Sequence, residues 1–464
     1  VHGQRKLVGS QLSPLDEDLG ELVLGGVGGG ENKLSILRVK ELAELVPLEN
    51  EGSRVLVLDD FAEDGEKLSL AELSGLGGHV HLRPRLSACP RKCVKKSCAI
   101  LHSMRDYRGA SLLAIRLSSM GDIARLLPAL AVLGRETGRV DLTVEDRFTP
   151  LLELFPVVSG VIAYPRRSQA SPARHPVRWG RAMAEYLHRL RQSRYDLALD
   201  LHGILRSALV GRASGAMAVA GYAKGFGKEH SHLLYDHTLQ PGPEIRISRF
   251  DRYSGALRAL GFSEPEPVFL EPAVPEAAQR EVDEFLESRG LPRGRFLFAF
   301  LGTSRAQGRK RWPPFRYLEL AREVRDRLGK PTLLGWGPEE AELIDSLPPQ
   351  EGLVVIPDWG LDRLVAVIRR AGAFVGADTG AMHISALLGV PTVAVLGPTD
   401  PVVNRPFGHR HRVVHRMGVR RTCAGEACVH RDCMGAVTAG EVLSALEDLW
   451  AGPGGPPGRT EGGP

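Results

Sequence analysis

Two regions of the chain alternate between short apolar runs and segments whose apolar residues recur at helical spacing. The first opens at Leu112-Leu-Ala-Ile-Arg-Leu117, dense enough in apolar residues for a buried parallel strand. A polar loop, Ser118-Ser-Met-Gly-Asp122, follows. Then Ile123, Leu126, Leu127, Leu130 and Leu133 mark one face of a helix predicted over 123–137. Strands are predicted at 140–144, 161–163 and 196–200, with helices at 150–155 and 182–190 between them. The second region repeats the pattern. Helices are predicted at 276–289, 315–328, 339–347 and 361–371, and strands at 296–301, 331–336 and 354–356. Such alternation predicts doubly wound parallel sheets, one per region.

The second region ends on Gly376-Ala-Asp-Thr-Gly-Ala-Met-His-Ile-Ser-Ala-Leu-Leu-Gly-Val-Pro-Thr-Val-Ala-Val-Leu-Gly-Pro-Thr-Asp400. This reads as a strand over 371–377, a loop at Asp378, Thr379 and Gly380, a short helix over 382–388 stopped by Gly389 and Pro391, and a strand over 392–396. A loop that leaves a strand and opens a helix presents free N–H groups at the positive end of the helix dipole, which favours an anion. Ligand-free turns of the same shape are equally consistent with this stretch.

The flanking segments differ. Residues 1–108 form an N-terminal extension with a predicted helix at 36–45, a strand at Arg54–Leu58 and the Gly-rich run 25–30. That run satisfies neither G-x-G-x-x-G nor a P-loop. Residues 109–262 and 276–450 are the two α/β domains. A Pro-rich linker, 263–275, separates them, and the Gly/Pro-rich 451–464 reads as a disordered tail.

Composition changes little in this picture. With 60 Lys+Arg against 55 Asp+Glu in 464 residues, neither a disordered nor a fibrous chain is indicated. No run of about eighteen apolar residues predicts a transmembrane helix, and no apolar segment behind the first residues predicts a secretion signal. The segment from Arg166 to Arg194 is dense in arginine. It reads as a solvated face or as a surface attracted to an acidic acceptor or anionic membrane, and it lacks the interleaved aromatics of a single-strand nucleic-acid platform. The six cysteines fall into Cys89, Cys93, Cys98 and Cys423, Cys428, Cys433, neither group with C-x2-C spacing. Reduced thiols are the expectation, with Cys3His sets completed by His79 or His81 and by His430 as the alternative. No metal site is assigned.

Several motifs, taken in order, carry a family resemblance. Ile115-Arg-Leu-Ser-Ser-Met-Gly-Asp-Ile123 with Leu127-Pro-Ala-Leu130, Tyr195-Asp-Leu-Ala-Leu-Asp-Leu-His-Gly203, Lys310-Arg-Trp312, Gly335-Trp-Gly-Pro-Glu-Glu340, Asp378-Thr-Gly-Ala-Met-His383 and Gly397-Pro-Thr-Asp400 together resemble the ADP-heptose:lipopolysaccharide heptosyltransferases, glycosyltransferase family 9. The resemblance spans about residues 110–450. It implies a GT-B fold, with two Rossmann-like doubly wound domains facing across a cleft, the first taking the acceptor and the second the nucleotide-sugar donor. The implied reaction is inverting, metal-independent transfer of heptose from ADP-heptose to a lipopolysaccharide inner core. It would take place in the cytoplasm, at the inner face of the inner membrane, with no cofactor and no nucleic acid.

By the same resemblance Asp122 is the general base, and Ser118, Ser119, Gly121 and His202 face the acceptor. Lys310 is the cation on the leaving diphosphate. Thr303, Ser304, Asp378, Thr379, Gly380 and His383 surround the donor, and Glu340, or its neighbour Glu339, takes the ribose. By position alone Asp122 reads as an N-terminal helix cap, and one residue could do both. Departures from the family pattern, among them His202 in place of Gln and Gly302-Thr-Ser304 in place of Pro-Gly-Ala, bear on which sugar and acceptor are used. They leave open another nucleotide sugar or glycan acceptor within the fold. From a different class, a non-catalytic metal- or nucleic-acid-binding protein on this scaffold would account for the cysteines and the arginines.

Overall fold

The computed structural model describes residues 107–166, 175–266, 269–303, 305–416 and 432–451, with three strands nearer the start of the chain. The chain divides into two units, Val1–Cys98 and Ala99–Pro464. In the first, β1 (Glu44–Pro47), β2 (Arg54–Leu58) and β3 (Val80–Pro84) form one sheet, β1 antiparallel and β3 parallel to the central β2. The strand predicted at Arg54–Leu58 is β2. The end of the predicted 36–45 helix, Glu44 and Leu45, lies in β1 instead, and residues 36–43 are outside the described residues.

The second unit holds two six-stranded parallel sheets. The first contains β4 (Ser111–Ile115), β5 (Arg139–Glu145), β6 (Gly160–Tyr164), β7 (Leu197–Asp200), β8 (Ala218–Tyr222) and β9 (His237–Leu239), in the order β6-β5-β4-β7-β8-β9. Its helices are α1 (Met120–Glu136), α2 (Thr149–Leu154), α3 (Pro176–Gln192), α4 (Leu205–Ala213) and α5 (Arg249–Arg258). The second contains β10 (Leu297–Phe300), β11 (Thr332–Gly335), β12 (Leu353–Val355), β13 (Ala373–Ala377), β14 (Thr392–Leu396) and β15 (His411–His415), in the order β12-β11-β10-β13-β14-β15. Its helices are α6 (Glu276–Ser288), α7 (Pro314–Leu328), α8 (Ala341–Asp345), α9 (Leu361–Arg370), α10 (Gly380–Leu387), α11 (Pro401–Asn404), α12 (Asp432–Gly435) and α13 (Ala439–Ala451).

Both orders reverse direction beside the first strand, so each sheet has a crevice there at its carboxyl edge. The predicted strands form because their apolar runs are covered on both faces: Leu112 to Ile115 and Ala373 to Val375 are fully buried. Helix α1 buries Ile123, Leu126, Leu127, Leu130 and Leu133 completely. At about 1.5–3 kcal/mol per large apolar side chain, this is a gross gain on the order of 10 kcal/mol, ample to fix the helix on its sheet.

The two sheets meet at their carboxyl edges. Phe250 stacks on Phe407, with centroids 5.1 Å apart and planes 11° from parallel. Arg246 makes two bonds to Asp400, at 2.6 and 3.0 Å, and Arg405 one to Asp251 at 3.1 Å. Each half thus offers an acid to an arginine of the other. These pairs are exposed, so they set register more than stability.

Candidate active site

Helix α1 begins at Met120, three residues before the apolar periodicity does, because its first turn is polar and held by a cap. Asp122 is the third residue of that helix. Its carboxylate accepts from the Ser119 N–H at 3.4 Å and the Ser119 hydroxyl at 3.1 Å. The cap reading of Asp122 is therefore realised, and the same carboxylate is also caged by cations. Arg116, from the end of β4, pairs with it, and Arg125, one turn along α1, lies 2.7 Å away. Arg249 of α5 stands at 3.9 Å. Burial alone would raise this carboxyl's pKa; Arg116, Arg125 and Arg249, with His383, outweigh it and hold it well below the carboxylate range.

Sequence reading left these three arginines unassigned. Arg116 is visible as the one charge in an apolar strand, and Arg125 as the i,i+3 partner of Asp122, but Arg249 lies over a hundred positions away. Arg116 also donates to the Leu201 carbonyl at 3.1 Å, tying β4 to the loop after β7.

That loop carries His202. Its backbone N–H and that of Gly203 donate to Asp200, whose other oxygen accepts from Ser207 and Tyr235 at 2.7 and 2.8 Å. His202 Nδ1 is buried and unpartnered. Burial, then Arg116, pushes this imidazole down to about 3, so it is neutral beside the cage. Ser118 is half-buried and Ser119 exposed, on the connection from β4 to α1.

The second sheet brings its own crevice loops to the same place. After β13, Asp378 receives Lys310 Nζ at 2.7 Å, and His383 Nε2 lies 3.5 Å from its other oxygen. Burial works against ionisation of Asp378, but His383 and Lys310 together hold it below the carboxylate range. Helix α10 starts at Gly380, two residues earlier than predicted, so Thr379 is its N-cap. The hydroxyls of Thr379 and Thr303, the latter on the loop after β10, are buried without a partner, as is that of Thr399. Ser304 lies outside the described residues, as do Cys89, Cys93, Cys98, Cys423, Cys428 and His430. Cys433 is buried in α12.

Glu340, expected at the ribose, is anchored at the Thr303 loop. It is only 1 % exposed, at the end of a short 3-10 turn, Pro338–Glu340. Its oxygens accept from the N–H groups of Thr303 and Gly337, each at 3.2 Å, and from Arg311. Burial, opposed by these bonds, leaves its pKa raised. In this arrangement Glu340 braces the Thr303 loop from beneath. Glu339 is exposed beside it.

The two crevices touch through a pair of glycines. A Cβ on Gly121 would lie 2.5 Å from His383 Cδ2, and one on Gly380 would lie 2.7 Å from Met120 Sδ. The helix that carries Asp122 and the helix that follows the Asp378 loop thus begin against each other. A Gly121→Ala change is expected to cost about 1–3 kcal/mol of overpacking at this junction. Its unfolding midpoint should fall while its circular dichroism stays unchanged; a midpoint equal to the wild type's would mean the junction is not close-packed.

His383 is 1 % exposed, and burial, then Arg125, lowers its imidazole from 6.5 to about 4, against the opposing pull of Asp378. A histidine depressed in the folded state stabilises the fold above its unfolded pKa, and that contribution is lost as pH falls from about 6.5 toward 4. Its share is on the order of 3 kcal/mol. Denaturation at pH 7 and at pH 5 should show a smaller difference for His383→Asn than for the wild type; equal differences would contradict the buried neutral imidazole.

Two Rossmann-like sheets meeting crevice to crevice, one with a caged carboxylate and one with a cation, free hydroxyls and helix N–H groups, define the GT-B class of glycosyltransferase. Residues 183–433, more than half of the chain, match the family model of glycosyltransferase family 9 (heptosyltransferase). The chain belongs to glycosyltransferase family 9. Among curated relatives, lipopolysaccharide heptosyltransferase 1 of Pseudomonas aeruginosa is 29% identical over 328 residues, 69% of this chain and 87% of that protein. Lipopolysaccharide heptosyltransferase 2 of Escherichia coli K12 is 25% identical over 67% of this chain and 89% of that protein. The family 9 glycosyl transferase structure from Veillonella parvula superposes with a TM-score of 0.60 at 20% identity, covering 74% of this chain and 98% of that one. E. coli heptosyltransferase WaaC with ADP gives 0.55 at 22%, covering 73% and 99%. The two structural likenesses bear on the fold.

Proposed function

We propose that this glycosyltransferase moves a heptose from ADP-heptose to a sugar hydroxyl of a lipopolysaccharide inner core, with inversion at the transferred carbon. The observation that carries the proposal is the meeting of the two helix starts. Asp122 lies on one, Thr379 and Gly380 begin the other, and Lys310 joins the second through Asp378 at 2.7 Å, so both sets face one junction. The relatives named as lipopolysaccharide heptosyltransferases, and a related structure solved with ADP-2-deoxy-2-fluoro heptose, support the choice of sugar and nucleotide.

In this reading the acceptor oxygen attacks the anomeric carbon as the bond from that carbon to the diphosphate oxygen breaks. The hydroxyl proton passes to Asp122, and the bonding pair leaves with ADP. Asp122, held strongly acidic by its arginines, is a weak base. It takes the proton late, once the oxygen has become acidic through bond formation. The arginine cage exceeds the one carboxylate in charge, so it also favours the negative charge developing on the diphosphate. On the other side Lys310 supplies a point charge, the Thr303 and Thr379 hydroxyls donate, and the first N–H groups of α10 complete the cradle. His383, neutral and wedged on Gly121, positions the Asp378 loop. Acceptor contacts are assigned to Ser118, Ser119, Gly121 and His202, and the two domains, 109–262 and 276–450, to acceptor and donor.

A thermal-shift screen against ADP-, GDP- and UDP-sugars tests the donor. ADP-heptose should raise the unfolding midpoint most; a larger shift with a GDP- or UDP-sugar would reassign it.

A further inference from the structure

Arg125 touches both halves of the site with a single buried guanidinium. Its Nη2 donates to Asp122 Oδ1 at 2.7 Å, its Nη1 to the Val403 carbonyl at 3.2 Å, and its Nε to the Gly121 carbonyl at 3.3 Å. Val403 lies in α11, which follows β14 of the second sheet. Its carbonyl belongs to the last turn of that helix, where no later helical N–H takes it, so a donor from outside is needed. The other end of α11 is also held from the first half. Asp400 caps the Val402 N–H at 2.8 Å and receives Arg246 at 2.6 and 3.0 Å. Arginines of the first half thus grip α11 at both ends, and Arg125 carries that grip on to Asp122. The two oxygens of Asp122 are loaded unequally. Oδ2 takes Arg116, the Ser119 N–H at 3.4 Å and the Ser119 hydroxyl at 3.1 Å. Oδ1 takes Arg125, while Arg249 Nε at 3.9 Å is beyond hydrogen-bond distance. A carboxylate has about two lone-pair sites on each oxygen, so Oδ2 is full and Oδ1 has one site open.

We propose that Oδ1 is the atom of Asp122 that takes the acceptor's proton, and that Arg125 is its positioning residue, holding that oxygen in register with the donor half through α11. The inference rests on the general-base role given to Asp122 above. Proton transfer needs Oδ1 within about 2.6–3.2 Å of the acceptor oxygen. That oxygen must in turn lie about 3–3.5 Å from the anomeric carbon carried by the other half. A carboxylate fixed to the first sheet alone meets only the first condition. The bond from Arg125 to Val403 supplies the second, because one rigid fork then spans the base and the second half. In the step itself the hydroxyl proton goes to Oδ1 as the new bond to the anomeric carbon forms and the bonding pair leaves with ADP. Arg125 stays charged and gives up no proton. A lysine in its place would keep the charge but not the planar fork of three donor nitrogens.

The test compares Arg125→Lys and Arg125→Met with the wild type in the full chain, below their unfolding midpoints, using the nucleotide sugar that gives the largest thermal shift. Both variants should lose about 10- to 100-fold in kcat, the cost of a misplaced base. Arg125→Lys keeps the charge, so its affinity for ADP by calorimetry should stay within about twofold of the wild type's. The pH profiles separate charge from position. The groups that face Asp122 are Arg116 at the end of β4, Arg125 on its own helix, Arg249 and Tyr253 on α5, His383 on α10 and His202 after β7. All but Arg125 are common to the three proteins. Taking one cation away raises the pKa of Asp122, and activity is lost as pH falls through it. The acid limb of kcat should therefore lie at higher pH in Arg125→Met, and at the wild-type position in Arg125→Lys. Arg246→Gln loosens the far end of α11. It should lower kcat in the wild type and add little to the loss in Arg125→Lys. Wild-type kcat in Arg125→Lys, a loss seen only in ADP affinity, the same acid limb in Arg125→Met and wild type, or equal proportional losses from Arg246→Gln in both backgrounds would overturn the proposal. Failure of the transferase reading is distinct: the wild type would then transfer none of the nucleotide sugars.

Discussion

Asp122→Asn should lower the transfer rate by a factor on the order of 10²–10⁴ while the donor dissociation constant stays the same or tightens. The loss is that of a positioned general base. The unchanged donor affinity follows from geometry, because Asp122 belongs to the first sheet and the diphosphate cradle to the second. Tighter binding is possible because removing one negative charge leaves Arg116, Arg125 and Arg249 unopposed near the donor's phosphates. The same imbalance costs stability, about 3–5 kcal/mol where a buried pair loses one partner, so the unfolding midpoint should fall as well. Rates are therefore to be compared below that midpoint. The wild-type rate has a further signature. Since the arginines hold Asp122 well below the carboxylate range, it is ionised near neutral pH. An acid limb near neutral pH, if seen, belongs to another group. Transfer by Asp122→Asn at the wild-type rate would remove Asp122 from the chemistry and leave it as a helix cap.

Lys310→Ala has the second-largest expected effect, and it falls on binding. A charge-assisted bond to a diphosphate contributes about 1.5–3 kcal/mol, so donor affinity by calorimetry should weaken about 10- to 100-fold. Adenosine, which lacks the diphosphate, should bind the variant and the wild type alike. Lys310 also neutralises Asp378 at 2.7 Å, and Asp378 is 8% exposed. The single variant leaves that carboxylate without its cation, so the double change Lys310→Ala, Asp378→Asn separates the two roles. It should recover stability and not donor affinity. Equal affinity for ADP-heptose in wild type and variants would contradict the assignment of Lys310.

Much of this arrangement can be read from the chain, and the reasons differ by element. Buried parallel strands are covered on both faces, so β4, β13 and β14 stand out as continuous apolar runs. Helix starts are harder. Ser118-Ser-Met-Gly-Asp122 is polar and reads as a loop, yet its last three residues already lie in α1, because Asp122 bonds back to Ser119. The start of α3 is missed although Trp179, Met183, Tyr186 and Leu190 recur at helical spacing, because Arg178, Gly180 and Arg181 between them read as a polar segment. Glu340 looks like a solvated residue beside Glu339, and only the fold reveals that a loop 37 positions back needs its carboxylate. The arginine cage is a tertiary object whose members come from β4, α1 and α5. Motif order located Asp122, and the strengths of its neighbours became visible only in three dimensions.

The central claim is that the two facing helix starts form one transferase site for ADP-heptose. Its most direct measurement is a nuclear magnetic resonance time course of the purified protein with ADP-heptose and a heptose-free inner-core acceptor. One ADP should appear for each heptose transferred, and the new linkage should have the anomeric configuration opposite to that of the donor. ADP-heptose left intact in the presence of that acceptor, or transfer with retained configuration, would contradict it.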